Sequence, residues 1–400
     1  MAELIYNKFL IISTGFVSYF GIISIFCILG KKKEKNVSKK IRFAALIAAR
    51  NEELCIENSI KSLQSQNYPK ELLDIYVIPN NCSDNTEEVS ISLGANIIKV
   101  DQSVNNKGLA LRVAMEKLQD KYDAFVVFDA DNEVNENFML SINQTLGNGY
   151  RVAKSRIIAK NRINSAIATC YDIHFATANQ FLNRARVRLG LSARVIGTGF
   201  AVKSEFIKEI GGFKTKTITE DAEFFAICAS KGEAIGFCEG AIAYDEQPTD
   251  FKTSMIQRKR WMSGIMQVFN YKKLDLVYGI LHKKSRFYSI DASIQFIFCY
   301  IQALLPFAIL ALFISSPTTF GYSLILLSIK NYIYIVIMSI IVLALEKRLS
   351  FSKNIIMGIL IYPIFVFSFI PILTTSLFIK TTKWKEIKHT GINYEVVKEY

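Results

Sequence analysis

Histidine is scarce in this chain. Three occur in 400 residues, at 174, 282 and 389, too scattered to suggest a Ser-His-Asp order. Cysteine is present without a pattern: seven residues, an odd count, and no C-x-x-C pair. That argues against a disulfide frame or a zinc site and for reduced thiols in a cytoplasmic setting. Zinc-finger spacing, basic-aromatic repeats and RNA-binding signatures are missing, which leaves no case for a nucleic-acid partner. The glycine-rich amino-terminal loop of a soluble nucleotidyltransferase is missing too. Lys330 is the one charge deep within a candidate membrane span, so the intramembrane charges of an ion path are lacking.

What is abundant is apolar surface and basic charge. The chain is 51% hydrophobic, its mean hydropathy is +0.24 and its net charge is +13. The basic residues cluster beside apolar runs. Residues 31–42 (KKKEKNVSKKIR) hold seven basic groups and one acid directly after an apolar stretch. Residues 252–286 hold nine and one directly before another. This is the positive-inside pattern of a membrane protein. Residues 9–29 are uncharged and long enough to span a bilayer. The basic run follows them and no small-x-small site ends them, so they read as a retained anchor with the amino terminus outside. Three further candidates lie near 290–314, 319–345 and 354–379. Four spans would leave the basic tail KTTKWKEIKHT outside, against the charge rule. The conflict is relieved if one carboxyl-terminal segment is interfacial or re-entrant. The expected domains are an anchor over 1–30, a cytoplasmic catalytic domain over 41–287, a membrane region over 288–380 and a tail over 381–400.

Between the membrane segments, short apolar strands alternate with amphipathic helices. RFAALIAA (42–49), LLDIYVIP (72–79), ANIIKV (95–100) and YDAFVVFD (122–129) read as strands; NEELCIENSIKSLQSQ, TEEVSISLG and KGLALRVAMEKL read as helices. Such alternation predicts an α/β fold with a parallel sheet covered on both faces. Ligands bind beyond the carboxyl ends of strands in such sheets. Three polar clusters fall at those ends: ARNEE, NNCSDNT and DADNE.

DADNE crowds Asp129, Asp131 and Glu133 with nothing basic within five residues. It is either an acidic turn or a cation site. It is not an EF-hand, because Val134 stands where glycine is needed and Leu140 where glutamate is needed. Two carboxylates one residue apart suit Mg²⁺ or Mn²⁺ held jointly with substrate phosphates. TITEDAEFF (217–225) is either a helix start favoured by the dipole or a source of a general base, Asp221. MIQRKRWMSG (255–264) is either a basic helix on the membrane surface or a binding face. On a helix Gln257, Arg260 and Trp261 share one side, while Arg258 and Lys259 point elsewhere. An amide, a guanidinium and an aromatic plane suit a diphosphate and a stacked ring. NNKGLA places Lys107 at a helix start, where anions are favoured, or in a solvated loop. IGTGFAVKSEF offers Thr198 and Gly199 in a G-x-G that is either a close ligand approach or a plain turn.

The ordered set R-N-E-E, N-x-x-D-x-T, K-G, D-A-D, T-E-D and Q-x-x-R-W resembles membrane-integrated family 2 glycosyltransferases of GT-A fold, among them hyaluronan, cellulose and poly-N-acetylglucosamine synthases. The likeness covers about residues 41–265 and the flanking membrane segments. Trp384–His389 is similar to a tail pattern in some relatives. The resemblance implies that Asn51, Glu52, Asn81, Asp84, Lys107 and Asp129 bind a nucleotide-sugar, UDP-linked. It implies that Asp129 and Asp131 hold the metal, that Asp221 is the base with Glu220 beside it, and that Gln257, Arg260, Trp261, Thr198 and Gly199 serve the diphosphate and acceptor. One departure stands out: the family usually has Asp-Asp-x-Ser or Asp-Asn-Cys after the second strand, where this chain has Asn80-Asn81-Cys82, so an amide stands where a carboxylate usually meets the nucleobase. The implied reaction is inverting. Its acceptor is a growing β-linked extracellular polysaccharide or, alternatively, a membrane lipid, with membrane lipids around the chain and a second copy or an export partner completing any channel.

Overall fold

The computed structural model describes residues 1–29, 36–381 and 390–391. The basic run at 31–35 and the Trp384–His389 pattern lie outside the described residues. In chain order the elements are α1 (Ala2–Ile25), β1 (Phe43–Ala49), α2 (Ile56–Gln64), β2 (Leu73–Pro79), α3 (Thr86–Ser92), β3 (Asn96–Ile97), α4 (Lys107–Leu118), β4 (Ala124–Asp129), β5 (Glu133–Val134) and α5 (Phe138–Gly147). Then come β6 (Val152–Ala159), α6 (Ala166–Thr177), a π-helical stretch (Ala178–Arg184), α7 (Ala185–Arg188), β7 (Phe200–Lys203), α8 (Ser204–Glu209), α9 (Glu220–Lys231) and β8 (Ile235–Asp245). Five helices close the chain: α10 (Phe251–Leu281), α11 (Arg286–Ser315), α12 (Pro317–Leu345), α13 (Lys353–Phe367) and α14 (Phe369–Phe378).

The eight strands form one sheet in the order β3-β2-β1-β4-β7-β6-β8-β5. The half expected from the sequence is parallel: β1 pairs with β2 and with β4, and β2 with β3. The other half is mixed. β7 runs antiparallel between β4 and β6, β6 and β8 are parallel, and β5 closes the edge antiparallel to β8. The expectation of a parallel sheet is corrected to that extent. β3 is also shorter than expected, two residues in place of six, because it is an edge strand paired only at Tyr76 and Val77. α2 begins at Ile56, not at residue 51, because Asn51 takes a left-handed φ of 57° and the chain turns before it coils.

Both faces of the sheet are packed. α4, α9 and β7 contribute Leu111, Met115, Phe200, Phe224 and Phe225 to one core. α2 and α5 contribute Ile56, Ile60, Phe138 and Ile142 to the other. Strand β1, with Phe43 to Ile47 wholly buried, feeds both.

Four helical segments are long and apolar enough to cross a membrane: Ala2–Ile28, Arg286–Ser315, Phe320–Leu345 and Lys353–Phe378. These match the four stretches expected. The last one is broken at Ser368 into α13 and α14, of 15 and 10 residues, and neither arm alone reaches the roughly 20 residues needed to span a bilayer. It is the most buried of the four, packed on Cys170 and Tyr171 of α6 and on α10. Arg258 is fully buried at the break. Its Nη1 donates to the Phe365 carbonyl at 2.9 Å and to Ser368 Oγ at 2.6 Å, and its guanidinium lies 3.9 Å from the Phe365 ring centroid. The cation so satisfies the Phe365 carbonyl and the Ser368 hydroxyl where α13 ends. A helix floating on the membrane surface would leave Arg258 in water; here α10 is an internal strut.

Candidate active site

Asn51 and Asn81, just beyond β1 and β2, both adopt left-handed φ, 57° and 56°. Asparagine tolerates this conformation better than most residues. Asn51 Oδ1 accepts the Ser83 N–H at 2.8 Å, tying the two strand ends together. The Glu52 N–H donates to Thr86 Oγ1 at 2.9 Å. Asp84 accepts from the Thr86 N–H at 3.1 Å and from the Glu53 N–H at 3.0 Å, so its carboxylate shapes the same loop. Asn81 Nδ2 donates to the carbonyls of Gln102 (3.3 Å) and Val104 (3.1 Å). A carboxylate at this position has no proton to give and could not make these two bonds.

The charge crowding at DADNE is resolved by distant residues. Lys107, at the start of α4, places Nζ 2.6 Å from Asp129 Oδ1 and 3.2 Å from Glu220 Oε1. Lys160, fully buried, donates to the Asp131 carbonyl at 2.8 Å and lies 3.3 Å from Glu133 Oε1 and 3.8 Å from Glu246 Oε2. The lack of basic residues within five positions in sequence is thus made good in space: Lys107 of α4 and Lys160, just after β6, supply the balancing charge. A cation still fits. Asp129 is about 36% exposed, whereas Asp131 is buried with Oδ2 accepting the Glu246 N–H at 3.2 Å. Among the described residues no three His, Cys, Asp or Glu side chains converge on a common point. Two all-oxygen donors suit a hard cation that completes its shell with phosphate oxygens and water.

Thr198, buried, accepts from the Asp129 N–H at 3.1 Å and donates to Asn132. Gly199 has φ +64°, and a Cβ there would fall 2.2 Å from Ser155 Oγ, so the G-x-G is a close approach between strands of this chain. The Gly197 N–H donates to Asp221 Oδ2 and fixes the carboxylate at the first turn of α9. Beside it Glu220 is buried; burial raises its pKa, Asp221 and Asp129 add to the rise, and Lys107 opposes it. Burial would lower the pKa of Lys107, but Asp129, Glu220 and Asp221 outweigh it and hold the ammonium charged.

Two glycines bring the motifs together. A Cβ on Gly108 would lie 2.3 Å from Thr215 Oγ1, and one on Gly264 would lie 2.3 Å from Thr219 Cγ2. α4 and α10 thus both press against the entry of α9. Gln257 is buried with Oε1 unpartnered, and Trp261 stands edge-on to Tyr171 at 5.8 Å. Arg260 lies within electrostatic reach of Asp129, Glu220 and Asp221; burial lowers its pKa and those carboxylates oppose the fall. Asn51, Glu52, Asn81, Asp84, Asp129 and Asp131 lie at or just beyond the ends of β1, β2 and β4, while Lys107, Glu220, Asp221, Gln257, Arg260 and Trp261 lie on α4, α9 and α10.

The sequence reading passed over Lys154. It sits mid-strand in β6, wholly buried, with Nζ donating to the Thr198 carbonyl at 2.5 Å. RVAKSRIIAK mixes basic and apolar residues without a clear period, so its sequence carries little signal that Lys154 is buried. Burial pulls its pKa down to about 7, against the pull of Asp245, Asp221 and Asp129. The folded chain therefore sheds this proton near neutrality while the unfolded chain keeps it into the alkaline range. Stability from this group is lowest at and below pH 7 and rises above it. The expected result is a thermal midpoint in detergent that climbs between pH 7 and pH 9, with a clearly flatter climb in Lys154→Met. Parallel curves for the two chains would refute the buried-ammonium assignment.

Residues 124–346 match the family model described as glycosyl transferase family group 2. A probable glycosyltransferase of Bacillus subtilis, YdaM, is 25% identical over 384 residues, covering 91% of this chain and 87% of that protein. A β-monoglucosyldiacylglycerol synthase of Nostoc is 24% identical over 268 residues, 62% of this chain and 55% of its own length. Among solved structures, the mannosyltransferase PcManGT of Pyrobaculum calidifontis, determined with GDP-Man and Mn²⁺, aligns at TM-score 0.62 over 90% of this chain and 99% of that one, at 14% identity. The mixed α/β sheet is accordingly the GT-A fold, and by the family match over more than half its length this chain belongs to glycosyl transferase family group 2.

Proposed function

We propose that the chain is an inverting, membrane-integrated glycosyltransferase that moves one sugar from a UDP-linked donor to a hydroxyl of a membrane lipid. The observation that carries this reading is Asp221: a carboxylate oriented by the Gly197 N–H, between the Asp129–Lys107 pair and the Arg260–Trp261 face of α10. In this reading the loops of Asn51, Glu52, Asn81 and Asp84 seat the nucleotide. Asp221 takes the proton of the acceptor hydroxyl as its oxygen bonds to the anomeric carbon on the face opposite the leaving group. The bond from that carbon to the diphosphate breaks, and an α-linked donor yields a β-linked product. Lys107 and Arg260 meet the charge of the departing diphosphate. Mg²⁺ or Mn²⁺ held by Asp129 and Asp131 would supply further charge neutralisation when bound.

The lipid acceptor is supported by the surroundings of Trp261. Tyr171, beside it, is 5.2 Å from Phe365, and Phe365 is 5.7 Å from Phe369, so a buried aromatic cluster ties the Trp261 side of α10 to α13 and α14, helices apolar enough to lie in a bilayer. The relative in Nostoc acts in glycolipid synthesis by its name. We place residues 41–287 on the cytoplasmic side, where the basic flanks of α10 and α1 would lie, with residues 1–30 as anchor and 288–380 as the membrane region. A growing polysaccharide is the competing acceptor, and four candidate spans are few for a self-made export channel.

Two outcomes test the reading. Asp221→Asn keeps the size and can still accept the Gly197 N–H, but it cannot take a proton. It should bind UDP nearly as the parent does and lose about 10²–10⁴ in turnover; retention of more than about a tenth of turnover would mean the residue only supports the helix start. In isolated membranes supplied with radiolabelled donors one at a time, EDTA should stop transfer, Mg²⁺ or Mn²⁺ should restore it, and the label should run as a single organic-soluble product. Full activity in chelator removes the metal assignment, and a water-soluble ladder returns the acceptor to polysaccharide.

A further inference from the structure

Gly197 and Thr198 stand in the loop that leads into β7, and their polar atoms are shared among the groups of the site. The Gly197 N–H donates to Asp221 Oδ2, and the Gly197 carbonyl accepts from Lys107 Nζ at 3.4 Å. Thr198 Oγ1 accepts from the Asp129 N–H at 3.1 Å and donates to Asn132 Oδ1. The same Asn132 oxygen accepts from the Asp129 N–H at 3.0 Å, and Asn132 Nδ2 donates to Asp245 Oδ1 at 2.7 Å. One residue further on, the Gly199 N–H donates to the Val127 carbonyl of β4 at 2.8 Å, and the Gly199 carbonyl accepts from the Ser155 N–H of β6 at 2.9 Å. The Asp221 carboxylate and the Asp129 backbone are thus tied to adjacent residues of one short segment, and a shift of that segment disturbs both.

The Thr198 carbonyl is held by Lys154 of β6, whose Nζ donates to it at 2.5 Å. Both residues are buried, at 1% exposure each. An ammonium has three protons to donate, and the structure gives one of them this acceptor. Asp245, Asp221 and Asp129 act on the charge from beyond ion-pair distance. A cation buried in this way costs stability, and an apolar side chain of similar length would fill the same space at less cost. Stability therefore does not account for a lysine at 154. What the lysine adds is a donor placed on the peptide that carries Asp129 and Asp221.

We propose that Lys154 is a positioning residue for sugar transfer: by holding the Thr198 carbonyl it fixes the Gly197–Thr198 segment, and through it the spacing of the base Asp221 and the metal carboxylate Asp129. This rests on the base and metal roles given above and adds what sets the distance between them. Lys154 acts through Thr198 and pairs with neither carboxylate. Without its donor the Thr198 carbonyl is left buried and unpaired, which favours a turn of the segment toward another partner. Asp221 and the Asp129 N–H then have to follow the segment or lose a hydrogen bond to it.

The test compares the full chain with Lys154→Met, which fills the space and removes the donor, and with Lys154→Gln, which keeps an N–H donor without the charge. Mn²⁺ affinity is read on the purified chain without nucleotide-sugar, UDP affinity in EDTA, and kcat and KM for the donor with Mn²⁺ present. Lys154→Met should lose about tenfold in both Mn²⁺ affinity and kcat, the lower end of the effect of groups that orient a metal's ligands. Its KM and its UDP affinity in EDTA should stay nearly parental, and its thermal midpoint at pH 7 should be no lower than the parent's. Lys154→Gln should recover part of both losses. Lys208→Met, at the surface on α8, should change nothing. Parental Mn²⁺ affinity and kcat in Lys154→Met overturn the proposal. So do equal losses in the Met and Gln variants, which would make the charge and not the hydrogen bond the function, and so does a lowered midpoint in step with lost activity, which would make Lys154 a fold contact. The base and metal roles fail separately. If Asp221→Asn keeps its turnover the base falls, and the Mn²⁺ affinities decide whether Lys154 sets Asp129. If the parent binds no Mn²⁺ the metal falls, and kcat at constant KM decides whether Lys154 sets Asp221.

Discussion

The site depends on one cation. Lys107 reaches across from the start of α4 to Asp129 on the sheet and Glu220 on α9, and without it three carboxylates, Asp129, Glu220 and Asp221, would face one another in a partly buried space. Like charges so placed would protonate or push apart. With the ammonium among them, the end of β4 and the start of α9 are held at one spacing. Gly108, next in sequence, lets α4 come close enough for that reach, since any side chain would meet Thr215. The K-G pair is therefore a single device, one residue supplying charge and the next supplying room.

The membrane segments join the catalytic domain by the same logic. Arg258 carries no role in the aromatic and guanidinium face of α10, yet it is the residue that fastens α10 to the break between α13 and α14. Its neighbours on the helix, Gln257 and Arg260, are thereby presented from a support that is anchored in the apolar layer. Tyr19, Arg186 and Asp291 make a second fastening, between α1, α7 and α11. Both joints are buried polar contacts, whose geometry is more restrictive than apolar packing alone.

The sequence disclosed the first half of the sheet and the polar clusters at its edge because both are local signals. Apolar runs of six to eight residues and the turns after them are written in consecutive positions. β7 was missed as a partner of β4 because antiparallel pairing across some 75 residues leaves no trace in either segment. The balancing cations were missed for a related reason: Lys160 meets Glu133 only after β6 has crossed beside β8, and no window of five residues contains both. Helical spacing separates Gln257, Arg260 and Trp261 from Arg258 and Lys259 because that is geometry internal to one element. Spacing gives the side on which a residue lies and not what covers that side, so the burial of Arg258 was not legible.

The hydrogen bonds of Asn81 bear on how such a site can change over generations. Its amide gives protons to two carbonyl oxygens of the 102–104 loop. An aspartate at 81 would set a carboxylate against those oxygens, with no proton between them. The identity of residue 81 is thus coupled to the course of the 102–104 loop, and a change at the strand end calls for a change in the loop.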